Sequence, residues 1–405
     1  MKPLKIGVVG CGMISYTYLN TLTKGFAAVE VVGCSDLIPE RSKARAELFG
    51  VRQMTTEEIM ADPEIELVLN TTQLWNHHHI TKMALEAGKH VYSEKSMDHS
   101  FEGAKENYDL AAKKGLLIAA APDTYMGSAW QTARKLIDDG YIGQPLIVYS
   151  MCMRGYGSHE RGAMPPGYVP DPMAGARGTT VTYDMGGYYL NVLFNMFGAV
   201  NRVSGYSKVF TGDRTHYNTL NPNYGKKIEA SGGENVMLGA LEFHNGVYGA
   251  LVLCSEAFGP EVPRVDVYGT EGHLTLPDPN NFGGYGNDVV ILQRKGSGSE
   301  SFKVPFTHGF SDTDPTIMPS SGKWEPCHNS WRGIGVVDMA YAIRKGRPAR
   351  SSAEMGLHMV EVIDAIDKSN EDNKVHIMTT NPDRPAALKP GHFGNVNVME
   401  SSLDT

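Results

Sequence analysis

Short apolar runs rich in Val and Ile alternate with segments of helical spacing through the first 125 residues. "LKIGVVG" (4–10) has the continuous hydrophobicity of a strand buried on both faces. "CGMISYTYLNTLTKGF" follows, with Ile14, Tyr18 and Leu22 on one helical face and Gly25 as a stop. Strand "VEVVGCS" (29–35) leads to "IPERSKARAELFG", a helix with Pro39 early and Gly50 at its end. The pattern continues through strand "IELVLNTT" (65–72), helix "HITKMALEAG" (79–88) and strand "KHVYSE" (89–94). Helix "SFEGAKENYDLAAKKG" (100–115) and strand "LLIAAAPD" (116–123) complete it. This alternation predicts an α/β fold, a parallel sheet with helices on both faces. Such sheets bind ligands beyond the carboxyl ends of their strands, which puts Glu94 and Lys95 on the ligand side.

The turn "GVVGCGMIS" sets Gly10 and Gly12 between the first strand and the first helix. Gly10 permits a tight turn, and Gly12 lets a pyrophosphate approach free N–H groups at the helix start, beside Met13 and Ile14. Ser15 stands where a third glycine is usual, which loosens the expected helix–strand packing. Asp36 ends the second strand, where a carboxylate accepts ribose hydroxyls and repels a 2′-phosphate. Arg41 nearby softens that preference, and the balance favours NAD over NADP.

At 405 residues the chain exceeds the usual size of one core, so two domains are expected: 1–125 for the dinucleotide and 126–405 for substrate and assembly. A net charge of −8 argues against a nucleic-acid partner, since phosphate binding needs a concentrated positive field. Five scattered cysteines, with no CxxC pair, fit a reducing compartment without structural zinc. "MKPLKIGVVG" moves straight into a strand, and no run approaches the ~20 apolar residues of a membrane span. The expectation is a cytoplasmic protein with no membrane partner. Consecutive His77, His78 and His79 do not converge on one metal, so no metal is expected.

"ALEAGKHVYSEKS" (84–96), together with the N-terminal glycine turn, resembles the Gfo/Idh/MocA family of NAD(P)-dependent sugar and polyol oxidoreductases. The resemblance implies a Rossmann domain followed by an α/β domain with a large open, mainly antiparallel sheet. It further implies that the sheet's outer face makes a homo-oligomer contact, as a dimer or tetramer. Thr71, Thr72 and His77 in "TTQLWNH" match the loop on the nicotinamide side, with Gln73 where proline is common. Lys95 aligns with the family's active-site lysine. Its chemistry is independently apt, because hydride loss from an alcohol leaves an alkoxide-like oxygen that an ammonium stabilises. Burial and a neighbouring positive nicotinium lead one to expect a lowered lysine pKa.

The strands after residue 145, with tight turns such as "HNG" (244–246), fit the implied second sheet. "TYDMGGYYLNVLFNMFG" (182–198) matches the family's Asp-x-Gly-x-His-x-x-Asp helix, with Tyr188 at the histidine position and Asn191 at the last acid. Asp184 and Tyr188 are four apart and share a helical face. A tyrosine can relay a proton when a nearby cation stabilises its phenolate, and Lys95 is the expected neighbour. Tyr125 of "APDTYMG", with Arg154, His159 and Tyr168 in a long Gly- and Pro-rich loop (154–180), are candidate sugar-binding residues.

These readings converge on an NAD-dependent oxidoreductase acting on a secondary alcohol of a sugar or glycoside. The motifs look most like a branch that oxidises glycosides at C3, although Gly187 replaces that branch's proline. Redox-neutral glycoside cleavage through transient oxidation, and a non-catalytic NAD-binding sensor, share the same cofactor motif. Ser96 replaces the family's usual proline after Lys95. A cis bond before a non-proline residue costs ~2.5–4 kcal/mol, so a trans Lys95–Ser96 bond is expected.

Overall fold

The computed structural model describes residues 1–155, 181–210, 214–215, 224–228, 234–257, 264–284, 289–298, 300–312, 331–393 and 396–405. The N-terminal apolar runs form a six-stranded parallel sheet in the order β3-β2-β1-β4-β5-β6. Its elements are β1 (Leu4–Val9), α1 (Met13–Lys24), β2 (Val29–Ser35), α2 (Pro39–Phe49), β3 (Arg52–Gln53) and α3 (Thr56–Ala61). They continue with β4 (Leu67–Asn70), α4 (Leu74–Glu86), β5 (His90–Ser93), α5 (Phe101–Lys114) and β6 (Ile118–Ala120). Leu4, Ile6, Val8, Leu67, Leu69 and Val91 are wholly buried, as helices on both faces require.

Three local features depart from the pattern reading. The short β3 and α3 were not anticipated; α3 is announced only by a capping box between Thr55 and Glu58. Helix α4 begins at Leu74, a turn earlier than expected, so His77 lies inside it.

After α6 (Ser128–Asp138) the chain enters β7 (Pro145–Gly155), α7 (Val181–Phe197) and β8 (Val200–Lys208). A small ribbon of β9 (Arg214–Thr215) and β10 (Lys227–Ile228) precedes β11 (Val236–Phe243) and β12 (Tyr248–Ala257). Then come β13 (Arg264–Gly269), β14 (Gly272–Leu276), β15 (Val290–Arg294) and β16 (Phe302–Val304). Helices α8 (Ile334–Lys345) and α9 (Ala353–Asp372), strand β17 (His376–Ile377) and α10 (Val396–Glu400) close the chain. Among the described residues the second sheet has nine strands, β16-β15-β14-β13-β7-β12-β11-β8-β17, and only their β7–β12 pairing is parallel. One face is buried under helices; the other carries exposed Tyr149, Tyr206, Leu238, Tyr248 and Tyr268.

The C-terminal helices return to the first sheet. Ala120 N–H donates to the Ser351 carbonyl at 3.0 Å. Arg344 grips Glu66 with two bonds of 2.7 Å, and Phe101 N–H meets Asp364 Oδ2 at 2.9 Å. The end of β6 is thereby clamped beside α8, which positions the site described next. No helix among the described residues is long and apolar enough to cross a membrane.

The strand order reverses between β1 and β4, and Gly10 sits at that crevice with φ of 102°. A Cβ there would lie 2.6 Å from the Thr71 carbonyl carbon and oxygen. Gly10→Ala combines a left-handed backbone with a backbone collision. It should cost at least ~2 kcal/mol, measured as a lowered denaturation midpoint with unchanged slope.

Candidate functional site

Two groups of side chains meet at the carboxyl ends of the parallel strands. The first surrounds the turn between β1 and α1. Gly12 is the N-cap of α1, in extended backbone, so the turn leads directly into a helix N-terminus whose dipole favours an anion. A Cβ on Gly12 would meet nothing within 4 Å, so the space above the turn is open. Met13 and Ile14 begin the helix there, both partly exposed. Ser15 does more than replace a glycine: its hydroxyl donates to the Gly12 carbonyl at 2.6 Å and accepts from buried Arg45 at 3.2 Å. That bond ties α1 to α2 where a third glycine would have allowed direct packing.

Asp36 leans onto the same turn. Its Oδ2 accepts from Cys11 N–H at 2.6 Å and its Oδ1 from Ile38 N–H at 2.8 Å. Arg41 Nη1 lies 3.9 Å from Oδ1. Each carboxylate oxygen keeps acceptor capacity beyond these bonds. Thr71 and Thr72 follow β4; Thr71 Oγ1 donates to the Gly10 carbonyl at 2.6 Å and Thr72 Oγ1 to Asn70 Oδ1 at 2.7 Å. A helix N-terminus behind an open glycine cradle, with a carboxylate just after β2, suits the pyrophosphate and ribose of a dinucleotide.

The second group lies beyond β5. Glu94 is buried, with Oε1 accepting from Tyr18 Oη at 2.7 Å and Oε2 from Lys95 N–H at 3.1 Å. Lys95 Nζ reaches across to α7 and pairs with Asp184 Oδ1 at 2.6 Å. The same Nζ lies 5.4 Å from the centre of the Tyr188 ring. The i, i+4 spacing on α7 therefore brings Asp184 and Tyr188 to one ammonium.

Two expectations are corrected here. Burial does act to lower the Lys95 pKa, but Asp184, then Tyr188 and Glu94, outweigh it and raise the value above that of an ordinary lysine. The expectation of a lowered pKa counted burial without the paired carboxylate. The Lys95–Ser96 bond is cis, not trans. The expectation rested on the intrinsic peptide preference without proline; in the fold the Ser96 carbonyl faces His77 Nδ1 at 2.6 Å.

His77 is buried in α4 between two carbonyls, with Nε2 at 3.1 Å from the Thr72 oxygen. Desolvation lowers its pKa. It braces the loop after β4 against the segment after β5. His78 pairs instead with Asp98 at 2.9 Å. Tyr125 joins neither group: it is 1% exposed, and its hydroxyl lies 3.2 Å from Ser351 Oγ. His159 and Tyr168 lie outside the described residues, as does the side chain of Arg154 on β7.

Arg332 and Asp123 join the second group without having been singled out. Arg332 Nη2 donates to Tyr188 Oη at 3.2 Å and to the Asn280 carbonyl at 2.9 Å. Asp123, at the end of β6, accepts from Gly333 N–H at 2.8 Å and Gly335 N–H at 3.0 Å at the start of α8. Burial pushes its carboxyl up to about 6 despite those two donors and Arg332. Arg332 is 144 residues from Tyr188, and no local pattern announces the pairing.

Comparison with known proteins fits this geometry. The oxidoreductase family model with an NAD-binding Rossmann fold matches residues 4–121, and the Gfo/Idh/MocA C-terminal domain model matches residues 130–275. An uncharacterized oxidoreductase of Schizosaccharomyces pombe is 30% identical over 49% of this chain and 53% of its own length. The scyllo-inositol 2-dehydrogenase (NAD(+)) of Bacillus subtilis is 23% identical over 73% of this chain and 78% of its own. The chain spans about half the length of the first curated relatives it matches. Among solved structures, levoglucosan dehydrogenase in complex with NADH and L-sorbose superposes with a TM-score of 0.74. That likeness covers 94% of this chain and 100% of the other at 19% identity. Rossmann turn, mixed second sheet and family models agree: the chain belongs to the Gfo/Idh/MocA family of NAD-binding oxidoreductases.

Proposed function

We propose that the protein is an NAD-dependent dehydrogenase acting on a secondary alcohol of a sugar or polyol. The observation that carries this reading is the cluster of Lys95, Asp184 and Tyr188 beyond β5, on the same side of the sheet as the open glycine turn. Its resemblance to an inositol dehydrogenase supports the substrate class. NAD, when bound, supplies the hydride acceptor for alcohol oxidation and the donor for the reverse. Gly10, Gly12, Met13 and Ile14 would hold its pyrophosphate and Asp36 its ribose, with Arg41 alongside. Thr71, Thr72, His77 and Glu94 would shape the nicotinamide end.

Lys95 stays charged beside Asp184, so it stabilises the alkoxide-like oxygen electrostatically. An ammonium held so firmly is a poor proton acceptor, which leaves Tyr188 as the relay. Asp184 fixes the ammonium and offers acceptor capacity to a second sugar hydroxyl. Arg154, His159 and Tyr168 remain candidates for further sugar contacts. Within this class the finer reading is a C3 carbinol of a glycoside, supported by the motif resemblance around Asp123 and Tyr188.

The outer face of the nine-stranded sheet is inferred to bury against a second copy. Tyr206 pairs with Leu238, Leu238 with Val252 and Val252 with Met151, an apolar row across four strands. Tyr206 is 69% exposed and Leu238 47% in the isolated chain. Leu238→Glu should lower the mass measured by light scattering to that of a monomer; an unchanged mass would reject this face.

Lys95→Met and Tyr188→Phe should still quench and bind NADH within about twofold. Their turnover on levoglucosan, myo-inositol and aryl glucosides should fall by roughly 10²–10⁴-fold. Near-wild-type rates in both variants would overturn the assignment. Product analysis then locates the carbonyl, while a tightly held NAD that is never consumed during glycoside loss would favour redox-neutral cleavage. Gly12→Ala should melt like wild type yet bind NADH at least ~10-fold more weakly, because the added methyl enters the open cradle.

A further inference from the structure

We propose that Arg332 is a positioning residue for proton transfer, fixing the Tyr188 phenol so that its O–H is directed to the substrate oxygen. The inference rests on the dehydrogenase reading above. The guanidinium is itself held in place: Nη2 meets both the backbone and side-chain oxygens of Asn280, whose own N–H is tied to Asp278 Oδ1 at 2.9 Å. Its Cζ lies 5.5 Å from the Tyr188 ring centre, close to the 5.4 Å of Lys95 Nζ. The phenol ring therefore lies near two cations from two different parts of the chain, and one of them, Arg332, bonds its oxygen.

The direction of the bond decides the chemistry. Arginine has donors and no acceptor, so the contact at 3.2 Å uses a lone pair of Tyr188 Oη and cannot use its hydrogen. An ammonium cannot accept that hydrogen either. The phenol's proton is thereby kept off both cations and is available to a bound carbonyl. During reduction, hydride adds to the carbonyl carbon, the C=O π bond breaks, and the carbonyl oxygen takes the proton from Tyr188 Oη. The phenolate left behind lies against Arg332 and Lys95. Oxidation runs the same transfers in reverse, the phenolate accepting the hydroxyl proton as the carbinol carbon gives up its hydride, for which NAD would be the acceptor.

The support for Arg332 is built into the fold. Gly333 and Gly335 N–H groups are anchored on buried Asp123. Pro122, one residue before, accepts from Asn191 Nδ2 at 3.0 Å. Asn191 lies on α7, three residues after Tyr188. A closed circuit of bonds thus runs from Tyr188 through Arg332, Gly333, Asp123 and Pro122 back to α7. Asn191, at the family's acid position, serves this circuit as a donor, which a carboxylate could not.

Turnover would be measured for wild type, Arg332→Met, Arg332→Lys, Tyr188→Phe and the Arg332→Met/Tyr188→Phe double variant. The probe is whichever of levoglucosan, myo-inositol or aryl glucoside wild type oxidises fastest with NAD. Arg332→Met should lower kcat about 10- to 100-fold, within the span general acid–base catalysis contributes, while KM and NADH affinity change less than about threefold. Arg332→Lys should recover part of the loss, because an ammonium also donates. In the Tyr188→Phe background the same substitution should change kcat less than about twofold. Losses that multiply in the double variant, or a raised KM with unchanged kcat, would overturn the inference while leaving the dehydrogenase reading intact. Should Arg332→Met melt well below wild type, the Arg332→Lys and Tyr188→Phe pair supplies the same cycle. No oxidation of any probe by wild type would instead sink the underlying reading.

Discussion

The ion pair between Lys95 and Asp184 joins a residue after the fifth parallel strand to the first turn of α7. The lysine is reached from the Rossmann sheet, the carboxylate from the helix that covers the second sheet. Neither side chain is more than 21% exposed, so each would be costly to bury without the other. Their contact brings the start of α7 up to the segment that follows β5. Around it the other anchors make sense: Tyr18 on Glu94, His77 against the Ser96 carbonyl, and Asp123 on the start of α8. Each fixes a chain segment adjoining that pair.

A lysine so firmly charged also redistributes the proposed chemistry. Charge stabilisation and proton transfer can be asked of one residue only when its pKa lies near the working pH. Asp184 removes Lys95 from that range, and the proposed mechanism therefore gives the relay to Tyr188. A phenol, unlike an imidazole, has one oxygen that must serve as both donor and acceptor. A second cation that claims only a lone pair would resolve the ambiguity, which is the part proposed for Arg332.

Much of this was legible in order along the chain. Buried strands and their glycine-ended helices produce local, periodic signals, which is why β1, β2 and α7 match their predicted spans within a residue or two. Gly10, Gly12 and Asp36 were recognisable because a tight turn, an open cradle and a strand-end acid each require one residue type. The i, i+4 pair of Asp184 and Tyr188 was visible because one helix sets their geometry. Strand β3 and helix α3 were missed, being too short to produce a period. Tyr125 was a candidate sugar contact, yet the segment between α8 and α9 buries its hydroxyl against Ser351.

The amino-acid sequence by itself determined the parallel sheet, the dinucleotide turn and the family, because those depend on residue type and short spacing. Tertiary structure alone decided the protonation of Lys95, the cis geometry at Ser96 and the company of Tyr188. The ammonium's carboxylate partner is 89 residues away along the chain and the phenol's guanidinium partner 144, and no local period encodes such proximity in space. A pKa and an O–H direction are properties of the surroundings, and only the folded chain supplies them.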